Sequence, residues 1–564
     1  MNRSFLVIIA TCIGIFLCML DTTVMNIALP AIQNGLNTNL SNLSWAINAY
    51  TIVFAALTIP LSRVAEKIGL HKFFMGGLLL FLVGSVISAM SPNLVYLIVG
   101  RIIQSLGAAT VFPLSMVIGI STVNVERRTR VIAALGVTQG LAAALGPTIG
   151  GILTQFASWR WIFLVNAPLI VIALILSLVA LNFHEERKNI KIDIFGALIS
   201  IISLFTLTLA LVQGRDWGWS SLIIVLLFVV SFSSLTIFIV YERKIDYSMI
   251  PMKLFKNRQF NGAALTIVLS NLFLVAVTVV LPTYFTKIQG KSELIAALLV
   301  TPISAMIFVF SPIAALLIKK IGARIVIGTG FLAMTGAYIL FTRISMTNIS
   351  EVVSTCLLLG FGYGIIAGPI VVLAASDFTG EMLTASQSVA GVLRQVGIVL
   401  AVAIFVTGLY GNINTAKSQS IDYAKNQIVK LKLPTAQAIT MQKQVIQQIQ
   451  DEKSSATFDK NHVSEQEKEA LIQENYKAAL SGKAGLSSEV QAAILQKVTV
   501  AVTSEISKMN TKINASILDI VSYTKQKFSN AFIDLYKLSI VFVGLSTFSA
   551  ILFTSENKSK YQKV

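Results

Sequence analysis

Long apolar runs alternate along this chain with short, mostly basic breaks, and each run has the length of a membrane-crossing helix, about twenty residues. Spans are read near 5–30, 43–63, 73–91, 95–119, 131–156, 160–182, 193–213, 219–241, 259–281, 294–318, 323–342, 350–374, 385–410 and 529–553, about fourteen in all. The first run continues past twenty residues without a small-residue cleavage site, so it reads as a retained span and not as a signal peptide. One break differs in kind. From about Asn412 to Lys527 the chain is rich in Lys, Gln, Ser, Ala and Glu, with Pro434 as its one proline. Within it Val490, Ile494, Val498, Val502, Ile506, Met509, Ile513, Ile517 and Ile520 step by three or four, as one helical stripe would. Ser488 with Gln491, and Ser464 with Glu467, resemble capping boxes, and Lys483-Ala484-Gly485 reads as the break between two helices. The pattern predicts a helical hairpin that packs on itself or sheathes the outer mouth of the bundle, with partner binding or substrate gating as the alternative and disorder as a third reading that the stripe argues against.

Composition agrees with a membrane protein. Of 564 residues 55% are hydrophobic and 12% charged, and the mean hydropathy is +0.77, whereas soluble domains carry about 25% charged residues. The net charge of +18 does not indicate nucleic acid, because the basic residues concentrate in alternate short loops. Arg63, Lys67 and Lys72; Arg127, Arg128 and Arg130; Arg187, Lys188 and Lys191; Arg243, Lys244, Lys253, Lys256 and Arg258; and Lys319, Lys320 and Arg324 fall on one side. The positive-inside rule makes that side, and both termini, cytoplasmic, and span parity puts the 412–527 segment outside the cell. Cys12, Cys18 and Cys356 lie in apolar runs without metal spacing, and His71, His184 and His462 lie outside the spans. No phosphate-binding GxxxxGK[ST] loop and no nucleophile–histidine arrangement occurs, so neither ATP-driven transport nor an enzyme is expected, and no cofactor or metal.

Asp21 is the most informative single residue. It stands in the apolar run Leu20-Asp21-Thr22-Thr23-Val24-Met25-Asn26-Ile27-Ala28-Leu29-Pro30. A carboxylate near the middle of a membrane helix disfavours insertion by about 2.5–3.5 kcal/mol, and is usually kept because an ion or substrate pathway needs it. Glu66-Lys67-Ile68-Gly69 after the second span and Lys319-Lys320-Ile321-Gly322 after the tenth mark an internal repeat. Parallel repeats of this kind occur in transporters whose halves rock about a central site. The expected organisation is a bundle of six spans over 1–185, two additional spans over 186–245, a second six-span bundle over 246–411 and 528–564, and the helical insert over 412–527.

Four patterns in order resemble the major facilitator superfamily, and within it the fourteen-span drug:proton antiporters. The Asp21 segment resembles the first-span signature of that subgroup, in which the acidic position is implicated in proton coupling or cation recognition. Ser62-Arg63-Val64-Ala65-Glu66-Lys67-Ile68-Gly69-Leu70-His71-Lys72 is similar to the cytoplasmic loop motif, with Ser62, Glu66 and Leu70 departing from the usual glycine, aspartate and basic residue. The resemblance makes Arg63, Glu66, Lys67 and Gly69 candidates for a cytoplasmic gate. Arg101-Ile102-Ile103-Gln104-Ser105-Leu106-Gly107-Ala108-Ala109 resembles the arginine-containing fourth-span motif. Rise per residue puts Asp21 and Arg101 both in the outer half of the bilayer, so Arg101 either pairs with Asp21, through a bridge that protonation would release, or satisfies helix-end carbonyls.

The fourth pattern, Gly140-Leu141-Ala142-Ala143-Ala144-Leu145-Gly146-Pro147-Thr148-Ile149-Gly150-Gly151, resembles the fifth-span antiporter motif of exporters. Gly146, Pro147, Gly150 and Gly151 would form a close-packed, bendable joint. Met25, Asn26, Trp45, Asn48, Tyr50, Gln139, Tyr363 and Gln387 are candidate cavity residues, although such side chains also serve packing. Asp377 and Glu381 read as solvated charges at the edge of the thirteenth span. The resemblance implies an all-α major facilitator fold, monomeric in the membrane lipid, that exports amphipathic or cationic drugs against protons. Export of a lipid, peptide or cell-envelope precursor, or a scaffold or sensor acting through the insert and an extracellular partner, are the competing readings.

Overall fold

The computed structural model describes residues 3–38, 40–185, 191–433, 435–450, 465–481 and 487–553. Among these, fourteen helices are long and apolar enough to cross a membrane. In chain order they begin with α1 (Arg3–Gly35), α2 (Leu40–Ile68), α3 (Leu70–Ala89), α4 (Leu94–Ser121) and α5 (Val125–Phe156). The sixth span is broken at Val165 into α6 (Trp161–Leu164) and α7 (Asn166–Ala180). There follow α8 (Ile194–Trp217), α9 (Leu222–Glu242), α10 (Arg258–Thr283), α11 (Glu293–Ile321), α12 (Ala323–Phe341), α13 (Ile349–Ala375) and α14 (Gly380–Ala401). After a π-helical turn at Val402–Val406 come α15 (Thr407–Lys430), α16 (Thr435–Gln450), α17 (Glu465–Leu480) and α18 (Ser488–Ser546), the last ending in a 3₁₀ segment, Thr547–Leu552. Leu222, Ile223, Leu226, Val229 and Phe232 of α9 are exposed, as side chains facing lipid should be.

The chain divides into two compact units. The first comprises residues 1–283, 292–409 and 533–564, the second residues 284–291 and 410–532. In the first unit the helix pairs repeat: α1 packs on α5 as α10 packs on α14, and α3 packs on α4 as α12 packs on α13. Two further pairs, α5 with α11 and α2 with α14, join the two sets in a reciprocal way. The additional helices α8 and α9 pack on one another, and α8 also lies against α2.

The repeated Ile-Gly dipeptide has a conformational cause. Gly69 (φ 120°) ends the step from α2 to α3 and Gly322 (φ 84°) the step from α11 to α12, both in backbone regions that L side chains rarely adopt. Each lets one helix stop and the next start without a loop.

In the second unit α15 and α18 run antiparallel. Asn412 Nδ2 donates to the Ala531 carbonyl at 3.0 Å, Tyr423 donates to Asp519 at 2.6 Å, and the Tyr423 and Tyr523 rings stack at 3.9 Å. The apolar stripe is buried at Val502, Ile513, Ile517 and Ile520, whereas Val490 is exposed. The Gln491 amide bonds the Ser487 carbonyl, so the residue in the cap position is Ser487, one earlier than the sequence pattern suggests. Ser464 and the Lys483–Gly485 break lie outside the described residues.

Replacing Gly322 by valine should destabilise the first unit by about 1–3 kcal/mol, the usual cost of a non-glycine residue held in this region. Gly69→Val should cost more, because a Cβ there would lie 2.6 Å from the Glu185 Oε2 that accepts from the His71 amide at the start of α3, and displacing that oxygen breaks the bond. Thermal unfolding in detergent should show the midpoints falling in the order wild type, Gly322→Val, Gly69→Val.

Candidate functional site

Asp21 and Arg101 meet inside the first helical set. Asp21 is 4% exposed and Arg101 1%. Arg101 Nη1 donates to Asp21 Oδ2 at 2.5 Å and to Gln104 Oε1 at 2.8 Å. Gln104, one turn along α4 on the same face, donates through Nε2 to Asp21 Oδ1 at 2.7 Å and to Ser85 Oγ of α3 at 2.9 Å. Arg101 Nε reaches the Ala46 carbonyl of α2 at 3.3 Å, and its Cζ lies 4.2 Å from the centre of the Tyr50 ring. The guanidinium therefore both pairs with the carboxylate and satisfies a backbone carbonyl, and both carboxylate oxygens are occupied. Four helices are tied to one buried charge pair.

The opposite face of α1 looks into a cavity of about 120 Å³. Met19, Thr22, Thr23 and Ile27 line it from α1, and Gln139, Gly140 and Pro147 from α5. Asn271 and Thr278 of α10, Ser304 and Ile307 of α11, Tyr363 of α13, and Arg394 of α14 complete much of the wall. Of the candidate cavity residues, Gln139 and Tyr363 are in place, and Tyr363 donates to Asn271 Oδ1 at 3.1 Å. Met25, Trp45, Asn48, Tyr50 and Gln387 are not among the lining residues. The cause is helical phase. Met25 falls on the face of α1 shared with Ala28 and Ile32 and packs in the apolar core, and Tyr50 is buried beneath Arg101. Trp45 lies 6.2 Å from Trp217 of α8, Asn48 is half-buried outside the wall, and Gln387 is buried with Nε2 donating to Ser386 at 3.3 Å. The Asn26 side chain lies outside the described residues.

The glycines of α5 serve two neighbours. A methyl on Gly146 would overlap the Thr23 hydroxyl of α1, while a Cβ on Gly151 would come within 3.3–3.4 Å of Leu294 of α11. Gly150 approaches the Val24 carbonyl, and between these positions the Thr148 and Thr301 hydroxyls are 2.9 Å apart. Pro147 lines the cavity beside them.

A second charge cluster lies at the end of α2. Arg63 pairs with Glu66 at 2.7 Å and with Glu381 of α14 at 2.5 Å. It also donates to the Met249 carbonyl at 2.8 Å and the Ser248 carbonyl at 2.5 Å. Glu242, at the end of α9, accepts from the Met249 and Ile250 amides at 3.0 Å each, so the segment after α9 is held from both sides. Lys67 is exposed and outside this cluster, and Gly69 acts through its backbone conformation. Glu381, read from sequence as a solvated charge, is 49% exposed but paired.

Residues 11–402 match the Major Facilitator Superfamily. The chain belongs to that superfamily. It is 29% identical over 400 residues to the Multidrug transporter protein MdtP of Bacillus subtilis, covering 70% of this chain and 73% of the relative. It is 29% identical over 407 residues to a Methylenomycin A resistance protein of Streptomyces coelicolor, covering 70% and 84%. It is 31% identical over 335 residues to a Probable multidrug resistance protein EmrY of Escherichia coli, covering 59% and 65%. With fourteen candidate spans and relatives of these kinds, the protein is a multi-pass membrane transporter of the drug-efflux type at the family level. The matched region ends before the 412–527 insert.

Sequence reasoning misses three residues of this facilitator's site. Arg394 interrupts the apolar thirteenth span just as Asp21 interrupts the first, so the same signal could find it. Gln104 stands three residues after Arg101, the helical spacing for a shared partner. Glu381 carries no signal of its own, because its partner lies 318 residues away.

Gly146→Val should separate α1 from α5, lowering the unfolding midpoint and reducing transport. Gly136→Ala, on the same helix, should leave the midpoint unchanged, since an added methyl would find only the Gly368 backbone at 3.8 Å; its effect on transport is a separate matter, because Gly136 lines the cavity. Comparison of purified variants in one vesicle preparation checks both.

Proposed function

We propose that this protein is a proton-coupled antiporter that exports small amphipathic molecules by alternating access, with Asp21 and Arg101 as the coupling pair. The observation that carries the reading is the position of Asp21. It is buried against Arg101 and Gln104 on one face of α1, while Met19, Thr22, Thr23 and Ile27 line the cavity on the other. A change in the charge of Asp21 alters what holds α1 to α4, and movement of α1 alters the cavity wall. Removing one partner of a buried pair costs about 3–5 kcal/mol, enough to shift an equilibrium between two bundle conformations.

In this reading the basic loops face the cytoplasm, both termini lie there, and the Arg63–Glu66–Glu381 cluster is an inner gate that must open on each cycle. The helices α8 and α9 are an addition between two six-helix halves, and the protein works as a monomer. The α15–α18 pair lies outside the cell and is accessory to transport.

Two experiments test this. Asp21→Asn keeps the shape and polarity of the side chain but cannot titrate, so it should abolish uphill transport in proteoliposomes while expression and insertion stay near normal. Arg101→Ala should be as damaging, with a double-mutant cycle showing losses well short of additive. Full uphill transport by the Asn variant would sink the coupling role. Deletion of residues 415–525 with a short flexible linker should leave proton coupling intact and change rate or substrate preference, because Asn412 and Ala531 are already hydrogen-bonded and the linker has little distance to span. Loss of coupling in a correctly inserted deletion variant would place the insert inside the transport cycle.

A further inference from the structure

Among the described residues that line the cavity one carries a permanent charge, and it is positive. Arg394 lines it from α14, and no Asp, Glu, Lys or His is among the lining residues. The guanidinium donates through Nη1 to Gln139 Oε1 and touches Met19 Sδ at 3.5 Å, and its Cζ lies 5.5 Å from the Phe112 ring centre. All three neighbours are neutral. Both hydrogen bonds recorded for Arg394 leave from Nη1, and none is recorded from Nε or Nη2 to a described residue. The contrast with Arg101, neutralised by Asp21 at 2.5 Å, is chemical: both arginines are enclosed by helices, and only one has a counter-charge.

A guanidinium remains ionised at any physiological pH, and a charge inside a membrane bundle is expensive unless paired or used. The free side of the Arg394 fork has the geometry to take two oxygens of a carboxylate or sulfonate. Around it the wall is largely apolar, with Leu274, Val279, Ile303, Ile307 and Ile398 from three helices, and this suits a hydrophobic body beside an anionic group.

We propose that the cavity selects amphipathic anions, with Arg394 as the residue that recognises the negative group. The inference deepens the transport reading above and rests on that cavity being the substrate site. It replaces the expectation of cationic substrates, since Asp21, the acid that motivated it, faces away from the cavity. A carboxylate or sulfonate on a water-soluble amphiphile and the phosphate of an anionic lipid headgroup share the required chemistry.

The test is binding to the full chain in phosphatidylcholine nanodiscs, without a gradient. The probes share one aromatic body: 1-naphthaleneacetate, its neutral amide, and (1-naphthylmethyl)trimethylammonium. The acetate should bind about tenfold or more tightly than either analogue. Arg394→Gln should weaken acetate binding by about tenfold to a hundredfold, as loss of a hydrogen bond to a charged group implies, and leave the amide unchanged. Arg394→Lys should retain part of the preference, because it keeps the charge and loses the fork. Displacement of the acetate by phosphatidylglycerol added to the nanodiscs would assign the site to lipid headgroups, and its persistence would assign it to soluble amphiphiles. Equal binding of the three probes, preference for the ammonium, or no binding of the acetate by the wild-type protein overturns the proposal, whether or not any variant folds. Because no proton gradient is present, failure of proton antiport with anion-selective binding intact would overturn only the earlier reading.

Discussion

A carboxylate enclosed by membrane helices has to be answered by a positive charge, and much of the first helical set is arranged to answer Asp21. Arg101 and Gln104 must face α1 from α4 at helical spacing, Ser85 of α3 must accept from Gln104, and the Ala46 carbonyl of α2 must take the Arg101 Nε–H. Each of these groups would be left unsatisfied in the bilayer core if one helix shifted alone. The pair therefore fixes the mutual rotation of four helices while leaving α1 free to present a different, uncharged face to the cavity. The Asp21–Arg101 pair sits inside one helical set, and the other face of the same helix forms part of the cavity wall.

Small residues set where that set can touch the rest. In α5 the absence of side chains at Gly146 and Gly151 brings α1 and α11 close against one helix. Without water there is no hydrophobic force to pull helices together inside lipid, so close backbone approach and interhelical pairs such as Thr148–Thr301 carry the association. The reciprocal packing of α2 on α14 is held at one end by ionic groups, Arg63 and Glu381. The α5–α11 joint rests on close contact at glycine and one hydroxyl pair, whereas the α2–α14 joint includes a charge pair. The two joints between the repeated sets are thus different in their chemistry.

Much of the fold is legible in the sequence because membrane spans report themselves by length and composition. The fourteen runs, the insert with its different composition, and the Ile-Gly repeat at Gly69 and Gly322 need no structure to be seen. Depth brings Asp21 and Arg101 to one level but leaves open whether the arginine takes the carboxylate or a backbone carbonyl, and in the structure it takes both. What is not legible is phase. Met25 and Thr22 are three residues apart on α1, yet one is packed in the core and the other lines the cavity, and apolar residues on every face of a lipid-embedded helix give no amphipathic signal to choose between them. Tyr50 misleads for the same reason, as an aromatic residue that covers Arg101 and does not reach the cavity. Partners distant in sequence, such as Glu381 for Arg63, become visible only when the two sets are brought together.

The α15–α18 pair also sets an order of assembly. The last span cannot leave the ribosome until about 120 residues of the second unit have been made, a delay of roughly 6–25 s at about 5–20 residues per second. During that interval the surfaces of α10 and α12 that receive the terminal 3₁₀ segment lack that partner, and the other spans must hold together without the closing helix. The nascent bundle is therefore an incomplete particle with one open seam for a time set by the length of the insert, and shortening the insert would change when the bundle closes even if it changed nothing in the finished protein.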